Sequence, residues 1–368
     1  MSAGRHRLAT GICCVGTLVV SASGMLLWDV PSALFPDVPM NAAAEFSYIL
    51  AFFMGVAAIM VPFDLVGGIF IPIVMESRTL NPGVWLRQWF RSMGMQSLFF
   101  SVTFFIYLQI GRGIGASWLI AMLAVLQVTL VAGQELIWQA MTANWSQTPH
   151  GGQTSIVSHS DHRFVGGITG LPGFETIVVP RDWSTRLQPS SLSTIVSRRQ
   201  AAMTSGGRRR GLIYAMTWNA VGFLVAIVAV DSTIVSVADL CTVYLWFLLT
   251  SFLGLLVLPI VNRRSVFALD RHFTNLHDGP ELHVAIADVD QLTEQDPKRS
   301  ASAESVFQPI PCPEQRYTAL TVSRPETVVA WNVARSALFL SWAFGGPLAR
   351  AVHCNVGRPE LWAMMPVD

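Results

Sequence analysis

The stretch SRRQAAMTSGGRRRGL, Ser197 to Leu212, places five arginines directly before an apolar segment. A nucleic-acid site would require interleaved aromatic residues or a recognised binding fold, and this stretch has neither. A basic cluster at the start of a membrane helix instead attracts anionic lipid, at about 1 kcal/mol per residue. We therefore interpret Arg208 to Arg210 as a juxtamembrane patch, which leaves Arg198 and Arg199 to be explained.

The composition is that of a polytopic membrane protein with soluble parts. Of 368 residues, 52% are hydrophobic and 13% are charged, and the mean hydropathy is +0.48. A soluble domain usually carries about 25% charged residues. The net charge of +1 gives no global field for nucleic acid, so the predicted partner is the lipid bilayer. The five cysteines have no C-x-x-C spacing, which predicts neither a disulfide framework nor a thiolate zinc site.

Six apolar segments approach the ~20 residues that cross a bilayer. They are roughly 8–28, 46–75, 96–110, 116–138, 211–230 and 240–261. The first resembles a signal peptide but is long for a signal core, so we prefer a retained helix. The later apolar run 328–344 contains Asn332 and Arg335, and a central arginine is costly in lipid. We interpret that run as a packed or interfacial helix, and a seventh span is the less favoured alternative.

Loop charges set the orientation, because Lys and Arg resist translocation. Arginines precede the first segment, follow the second, fill the loop before the fifth and follow the sixth. Arg112, in the short third loop, is the exception. The alternation predicts a multi-pass protein of the inner membrane with both termini in the cytoplasm. Trp85 and Trp89 lie four residues apart and predict an interfacial amphipathic turn.

The same pattern divides the chain into four parts: an N-terminal membrane domain of four helices (1–138), a cytoplasmic β-containing segment that ends in a helix (139–210), a transmembrane hairpin (211–261) and a cytoplasmic helical region (262–368). The second part begins with a Gly/Ser/His-rich linker and then has β-like runs TSIV, FVGGI and ETIVVP. The predicted fold class is mainly α, a polytopic α-helical membrane protein with a cytoplasmic α+β region.

Four stretches follow one another in a distinctive order. They are FVGGITGLPGFETIVVPRDW (164–183), QPSSLSTIV (188–196), NRRSVFALDRHF (262–273) and ESVFQPIPCPEQRYTAL (304–320), with two membrane segments between the second and the third. This order resembles the membrane-embedded zinc metalloendopeptidases of the HtpX and CAAX-prenyl-endopeptidase type. That family has the same order of elements. A β segment is followed by a helix with HELGH, a transmembrane hairpin, a helix with ExExAD and an FHPIPxxxxR stretch. The resemblance covers about residues 150–320 and implies a gluzincin-like cytoplasmic region.

The zinc chemistry of that family requires specific side chains. Two histidines on one helix face and a later glutamate hold Zn²⁺, and the glutamate beside the first histidine is the general base. The resemblance puts the first histidine position at Arg198, the base at Arg199 and the second histidine at Ala202. The third ligand falls on Val266, while the aspartate of the family motif is retained as Asp270.

These replacements remove the zinc chemistry. Arginine stays protonated and has no lone pair for a metal, and alanine and valine have no donor atom. We therefore predict no catalytic residue, no metal ligand and no cofactor, although the family would imply zinc. The resemblance implies an inactive homologue that binds or regulates membrane-protein partners. We hypothesise that Arg198 and Arg199 pair with acids such as Asp270, so that their charge replaces that of the metal in a structural brace.

Two alternatives stay open at this point. Asp64, which follows Pro62 in an apolar span, is compatible with a small transporter or channel-like protein. Pairing of Asp64 with backbone or an arginine at a helix kink is the favoured interpretation, and Asn219 is interpreted as an interhelical hydrogen-bonding residue. The second alternative is an active peptidase with an unrecognised site. Five histidines match no metal-site spacing: His159, His162, His272, His277 and His283.

Overall fold

The structure is a computed structural model. It describes residues 3–35, 38–76, 79–142, 146–149, 152–159, 164–231, 234–276, 279–292, 310–321, 327–352 and 355–362. His162 and His277 lie outside these residues.

Within the described ranges six helices are long and apolar enough to cross a bilayer, which confirms the predicted number of spans. They are α1 (Ala3–Leu27), α3 (Ala42–Leu65) continued by a π-helix (Val66–Met75), α4 (Pro82–Gly113), α5 (Ser117–Met141), α8 (Gly207–Val228) and α9 (Val237–Thr274). A short helix, α2 (Val30–Leu34), connects the first two spans. The molecule is therefore a helical membrane bundle, as its composition predicts.

The third span is longer than the sequence predicts. Its first turn is capped by Asn81, whose side chain accepts hydrogen bonds from the backbone N–H groups of Gly83 and Val84. From there α4 runs for 32 residues, about 48 Å at 1.5 Å per residue, against about 30 Å of hydrocarbon. The predicted interfacial turn with Trp85 and Trp89 is thus the beginning of the same helix, one end of which extends beyond the hydrocarbon.

The sixth span and the separate helix predicted after residue 262 are one continuous helix, α9. It begins at a capping box formed by Ser236 and Asp239 and runs for 38 residues, about 57 Å. About half of that length suffices for the hydrocarbon. The last turns of α9, including Asp270, therefore project from the membrane at the end where the sheet lies. This end is termed the sheet side below.

Four short strands form the sheet, in the order β1-β2-β4-β3. They are β1 (Ser146–Pro149), β2 (Thr154–Ser158), β3 (Gly167–Thr169) and β4 (Thr176–Pro180). β2 and β4 are parallel, and the two outer pairs are antiparallel. The three predicted β-like runs contain strands, but β1 lies in the stretch predicted as a linker. This edge strand is polar and ends in proline, so it lacks the apolar alternation that identifies strands.

Four helices pack around the sheet side. α6 (Arg181–Arg186) and α7 (Pro189–Thr204) follow the sheet, and α10 (Gly279–Leu292) and α11 (Pro313–Thr321) follow α9. α7 and α8 are separated by Gly206, whose left-handed backbone (φ +70°) suits glycine. This break lets the chain turn from the sheet side into the membrane.

The C-terminal residues 327–362 enter the helical bundle. They form α12 (Val333–Leu340), α13 (Trp342–Ala351) and a 3₁₀-helix (Pro359–Trp362), and pack against α4, α8 and α9. None of their described residues from 330 onward is exposed. Helices of 8 and 10 residues are too short to cross a bilayer, so this segment is a packed element and no seventh span. Residues 327–362 are termed the C-terminal insert.

Gly211 on α8 allows close approach of this insert. A Cβ at this position would lie 2.0 Å from the carbonyl oxygen of Trp331. Replacing Gly211 with alanine is therefore expected to destabilise the protein by about 1–3 kcal/mol through overpacking. The measurement is thermal unfolding of the detergent-solubilised protein. Gly133→Ala on α5 is the control, because a Cβ added there would meet none of the described residues within 4 Å; equal losses for the two variants would contradict the expectation.

Candidate functional site

A buried carboxylate joins three helices on the sheet side. Arg198 on α7 donates from Nε to Asp270 Oδ1 at 2.6 Å. Arg316 on α11 donates from Nε to Asp270 Oδ2 at 2.7 Å and from Nη2 to Oδ1 at 2.8 Å. The three side chains are at most 5% exposed. The structure thus contains the Arg198–Asp270 pair of our hypothesis. Arg198, Asp270 and Arg316 are termed the arginine brace.

The spacing of buried residues on α7 explains the position of Arg198. Ser191, Ile195, Arg198 and Ala202 recur at helical spacing and all are buried. At the beginning of this face Ser191 donates to Asp288 Oδ2 of α10 at 2.7 Å. One face of α7 therefore makes a polar contact with α10, an ion pair with α9 and an apolar contact one turn later.

Arg199, the next residue, faces the sheet. It donates from Nη1 to the carbonyl of Val178 at 2.9 Å and from Nη2 to the carbonyl of Val165 at 2.6 Å. Its guanidinium lies 5.3 Å from the centroid of the Trp183 ring, a cation–π contact, and the residue is fully buried. Arg199 thus ties α7 to the sheet through backbone carbonyls, and pairing of Arg199 with an acid stays a prediction.

Ala202 and Val266 are both fully buried in one apolar cluster, together with Leu269 and Trp331. Ala202 lies one turn after Arg198 on α7, and Val266 lies one turn before Asp270 on α9. Since α7 packs against α9, the brace and this apolar pair occupy the same helix–helix contact. All the positions that the resemblance assigns to zinc chemistry are therefore buried around the junction of α7, α9 and the sheet.

The residues at these positions do not fit a zinc ion. Zinc sites in proteins use three or four lone-pair donors from Cys, His, Asp or Glu. Within the described ranges no group of three or more such side chains could hold a metal ion. Asp270 presents both oxygens to arginine donors. Of the histidines, His159 lies 4.9 Å from the Phe164 ring and His283 lies 4.6 Å from the Tyr317 ring, centroid to centroid.

Arg316 had no assigned role in the sequence. It is the final residue of FQPIPCPEQR, the stretch that resembles the FHPIPxxxxR motif, and this match was the available signal. Its position is fixed by the beginning of α11, where its backbone N–H bonds the carbonyl of Cys312 at 3.1 Å. The pairing of Arg316 with Asp270 required the three-dimensional arrangement of α9 and α11.

A second buried charge cluster lies within the membrane bundle near the sheet side. Asp64 is 1% exposed, and its Oδ2 lies 3.0 Å from Arg350 Nη2 of the C-terminal insert. It also accepts hydrogen bonds from the Trp89 indole N–H at 2.9 Å and from the backbone N–H of Gly357 at 3.1 Å. The π-helix begins two residues later, at Val66. Asp64 thus has the arginine and backbone partners of the favoured interpretation, and we term the cluster the Asp64 latch.

The tryptophans of α4 have a role that the sequence did not indicate. Trp89 belongs to the Asp64 latch, and Trp85 donates to the carbonyl of Gly357 at 3.0 Å. Both indoles are half-buried; Trp85 binds the C-terminal insert directly, and Trp89 binds Asp64, which in turn contacts the insert. Asn219 has the interhelical role expected of it, because its side chain donates to the carbonyl of Ala337 on α12 at 2.9 Å.

Two groups of arginines depart from their predicted roles. Arg208 is 5% exposed and donates to the carbonyl of Gly170 at 2.6 Å and to Glu175 Oε1 at 3.3 Å, so its assignment to a lipid-binding patch is wrong. Arg210 donates to the carbonyl of Val328 at 2.6 Å. Arg112, the exception to the alternation of loop charges, forms an ion pair with Glu45 on α3 at 2.7 Å. The Arg112 exception therefore has a local explanation.

Comparison with known proteins shows the fold. No protein-family model and no curated protein matches the sequence. The crystal structure of Ste24p from S. mikatae, a CAAX prenyl protease and membrane zincin, is similar with a TM-score of 0.64. The match covers 80% of this chain and 79% of that chain at 10% identity. This chain has a Ste24p-like membrane-protein fold.

The likeness to Ste24p concerns architecture, since 10% of aligned residues are identical. A Ste24p-like fold accounts for the mainly helical bundle, the six spans and the small sheet at one end. Fold alone does not assign an activity. The function of this chain has to be argued from the side chains of the arginine brace.

Proposed function

We propose that this protein is a catalytically inactive homologue of the membrane zinc metalloendopeptidases that binds or regulates membrane-protein partners without cutting them. The observation that carries the proposal is the arginine brace, in which Arg198, at the position that the family resemblance assigns to the first zinc-binding histidine, is buried and paired with Asp270. The Ste24p-like fold supports the relationship, and the brace supports the loss of activity.

The chemistry of the replaced positions supports inactivity. Hydrolysis by such enzymes needs a metal-bound water and a carboxylate to take its proton. Arg198 and Arg199 are permanently protonated, so neither can accept a proton from water or donate a lone pair. Ala202 and Val266 offer carbon atoms only, and both are buried. Two fixed guanidinium charges would also repel a dication.

The contacts of the brace support a structural role for the same residues. A zinc ion bound by residues of two helices crosslinks them, and here Asp270 is bonded by arginines from α7 and α11. Arg199 adds the sheet to this junction through the carbonyls of Val178 and Val165. The junction thus keeps the helices and the sheet together without a metal, which would preserve a surface for partner binding.

The orientation of the protein forms part of the same proposal. The sheet side would face the cytoplasm of an inner-membrane protein, with both termini on that side, because loop arginines concentrate there. A transport role for Asp64 is not proposed, since its carboxylate is engaged by Arg350, Trp89 and Gly357. The Asp64 latch is more simply a structural contact of the C-terminal insert.

The decisive experiment combines zinc analysis with a cleavage assay. Protein purified without chelator is expected to contain substoichiometric zinc and to leave casein uncut, whether or not a chelator is added. The physical reason is that the side chains at positions 198, 202 and 266 have no lone pair to donate to zinc. Stoichiometric zinc together with chelator-sensitive cleavage would overturn the proposal and support an active peptidase with another site.

A ligand-restoring variant tests the assigned positions in the same assay. It combines Arg198→His, Arg199→Glu, Ala202→His and Val266→Glu, which restores two histidines four residues apart and a later glutamate. We expect one zinc per chain in this variant. The matched control keeps Ala202 and carries the other three changes. Equal zinc contents in the two variants would show that the positions were wrongly assigned.

A further inference from the structure

We propose that the tip of the β3–β4 hairpin, Leu171 to Phe174, inserts into the surface of the lipid bilayer on the sheet side. The tip has the sequence LPGF and connects two strands of the sheet outside the membrane helices. The inference concerns a membrane contact by the non-membrane part of the chain, and it does not depend on the proposed loss of peptidase activity.

The side chain of Phe174 is 83% exposed, the largest exposed fraction of any large apolar side chain in the described ranges. Most side chains with comparable exposure lie on membrane helices, where lipid covers them. Burying a phenylalanine is worth about 1.5–3 kcal/mol relative to leaving it in water. A partner that covers Phe174 would therefore gain binding free energy of this size, and the surroundings of the tip indicate which partner fits.

Contacts with a membrane helix fix the depth of the tip. Arg208 is the second residue of α8, at the point where this span begins. It donates to the carbonyl of Gly170 at 2.6 Å and to Glu175 Oε1 at 3.3 Å, the two residues that flank the tip. Leu171 packs against the large apolar cluster, which includes residues of both the membrane helices and the sheet. The tip thus lies level with the first turn of α8, where the bilayer surface is expected.

The tip is ordered in advance. Its turn is closed by a hydrogen bond from the N–H of Phe174 to the carbonyl of Leu171 at 2.8 Å. Glu175 Oε2 accepts a second bond from the N–H of Gly173 at 2.7 Å, and Gly173 adopts the positive φ (+94°) that favours glycine. Insertion would therefore order few additional residues. Within the described sequence 167–180, Glu175 is the only residue with a carboxylate side chain. Because Arg208 forms an ion pair with Glu175, the free-energy cost of moving this carboxylate close to lipid is lowered.

Continuity with lipid-facing surface favours a bilayer over a protein partner. β3 packs against α5, and α5 exposes Leu136 five residues before its end on the sheet side. α8 exposes Ile213 and Tyr214 two turns after its beginning on the same side. Exposed Arg209 lies beside them and suits an anionic lipid headgroup. Aromatic and basic side chains at this depth are typical of membrane interfaces.

Spin-label accessibility in lipid nanodiscs tests the proposal. The label is attached to Phe174→Cys in a background whose five cysteines are replaced by alanine, and the nanodiscs contain phosphatidylcholine and phosphatidylglycerol. Collision with oxygen relative to a water-soluble nickel chelate is measured. At position 174 this ratio is expected to be about twofold or more higher than at a water-exposed site, because interfacial side chains meet oxygen dissolved in lipid.

Ser190→Cys is the matched control. Ser190 is exposed near the beginning of α7, about 21 Å along that helix from its end next to α8. Since both positions are exposed, neither label should disturb folding, and unchanged elution of both labelled proteins verifies this. Equal accessibility ratios at 174 and 190 would overturn the proposal and make a protein the partner of the tip.

Discussion

Replacement of Asp270 with alanine is expected to lower the free energy of unfolding by about 3–5 kcal/mol, because breaking a buried ion pair leaves uncompensated charge. Asp270 accepts three hydrogen bonds from Arg198 and Arg316, and its side chain is 1% exposed. The measurement is chemical unfolding in detergent, followed by tryptophan fluorescence. Asp182→Asn, a change of an exposed acid on α6, is the control and should stay within about 0.5 kcal/mol of the parent.

A second variant separates the charge from the packing. Combining Arg198→Met, Asp270→Leu and Arg316→Met removes all three charges and keeps similar side-chain volumes. Buried ion networks replaced in this way are often neutral or stabilising. We therefore expect the triple variant to recover most of the stability that Asp270→Ala loses. A triple variant no more stable than the single variant would contradict the interpretation of the brace as an ion-pair network that apolar side chains can replace.

Replacement of Asp64 with alanine is expected to have a comparable effect, about 3–5 kcal/mol, because it leaves the buried Arg350 without its carboxylate. Trp89 and the backbone N–H of Gly357 would lose their acceptor as well. The C-terminal insert should then detach locally. Trypsin is expected to cleave after Arg350, which is buried in the parent protein, and mass spectrometry of the fragments identifies the site.

Two controls accompany this prediction. Asp231→Asn changes an exposed acid in the loop between α8 and α9 and should alter neither stability nor cleavage. Asp64→Asn keeps one acceptor oxygen and should lie between the parent and the alanine variant. Parent-like protection of Arg350 in Asp64→Ala would show that the insert is held independently of the latch.

Membrane spans were predictable because apolar length and loop charge act locally along the chain. Their ends were not, as α9 illustrates. The polar residues NRR at 262–264 end an apolar run, but arginine is a good helix former, so the helix continues through them. Hydropathy reports where lipid ends and carries no information on where a helix ends.

The candidate site was predictable only where a family pattern supplied the register. That pattern placed Arg198 and Asp270 at one site, and the structure pairs them at 2.6 Å. The partners of Asp64 had no such pattern, because Gly357 follows it by 293 positions and no local signal connects the two. The partners of Arg199 could not be predicted either, because the spacing of side chains in a sequence does not indicate hydrogen bonds to backbone carbonyls.

The location of residues 327–362 imposes a sequence of events on the synthesis of this protein. A ribosome completes all six spans before it reaches this segment. The helices therefore enter the membrane before residues 327–362 are available to pack between them. The bundle can then close only after translation has passed residue 327, when all six spans have been synthesised. A prematurely terminated chain would insert completely and yet remain unfinished inside, which would make it a natural substrate for membrane quality control.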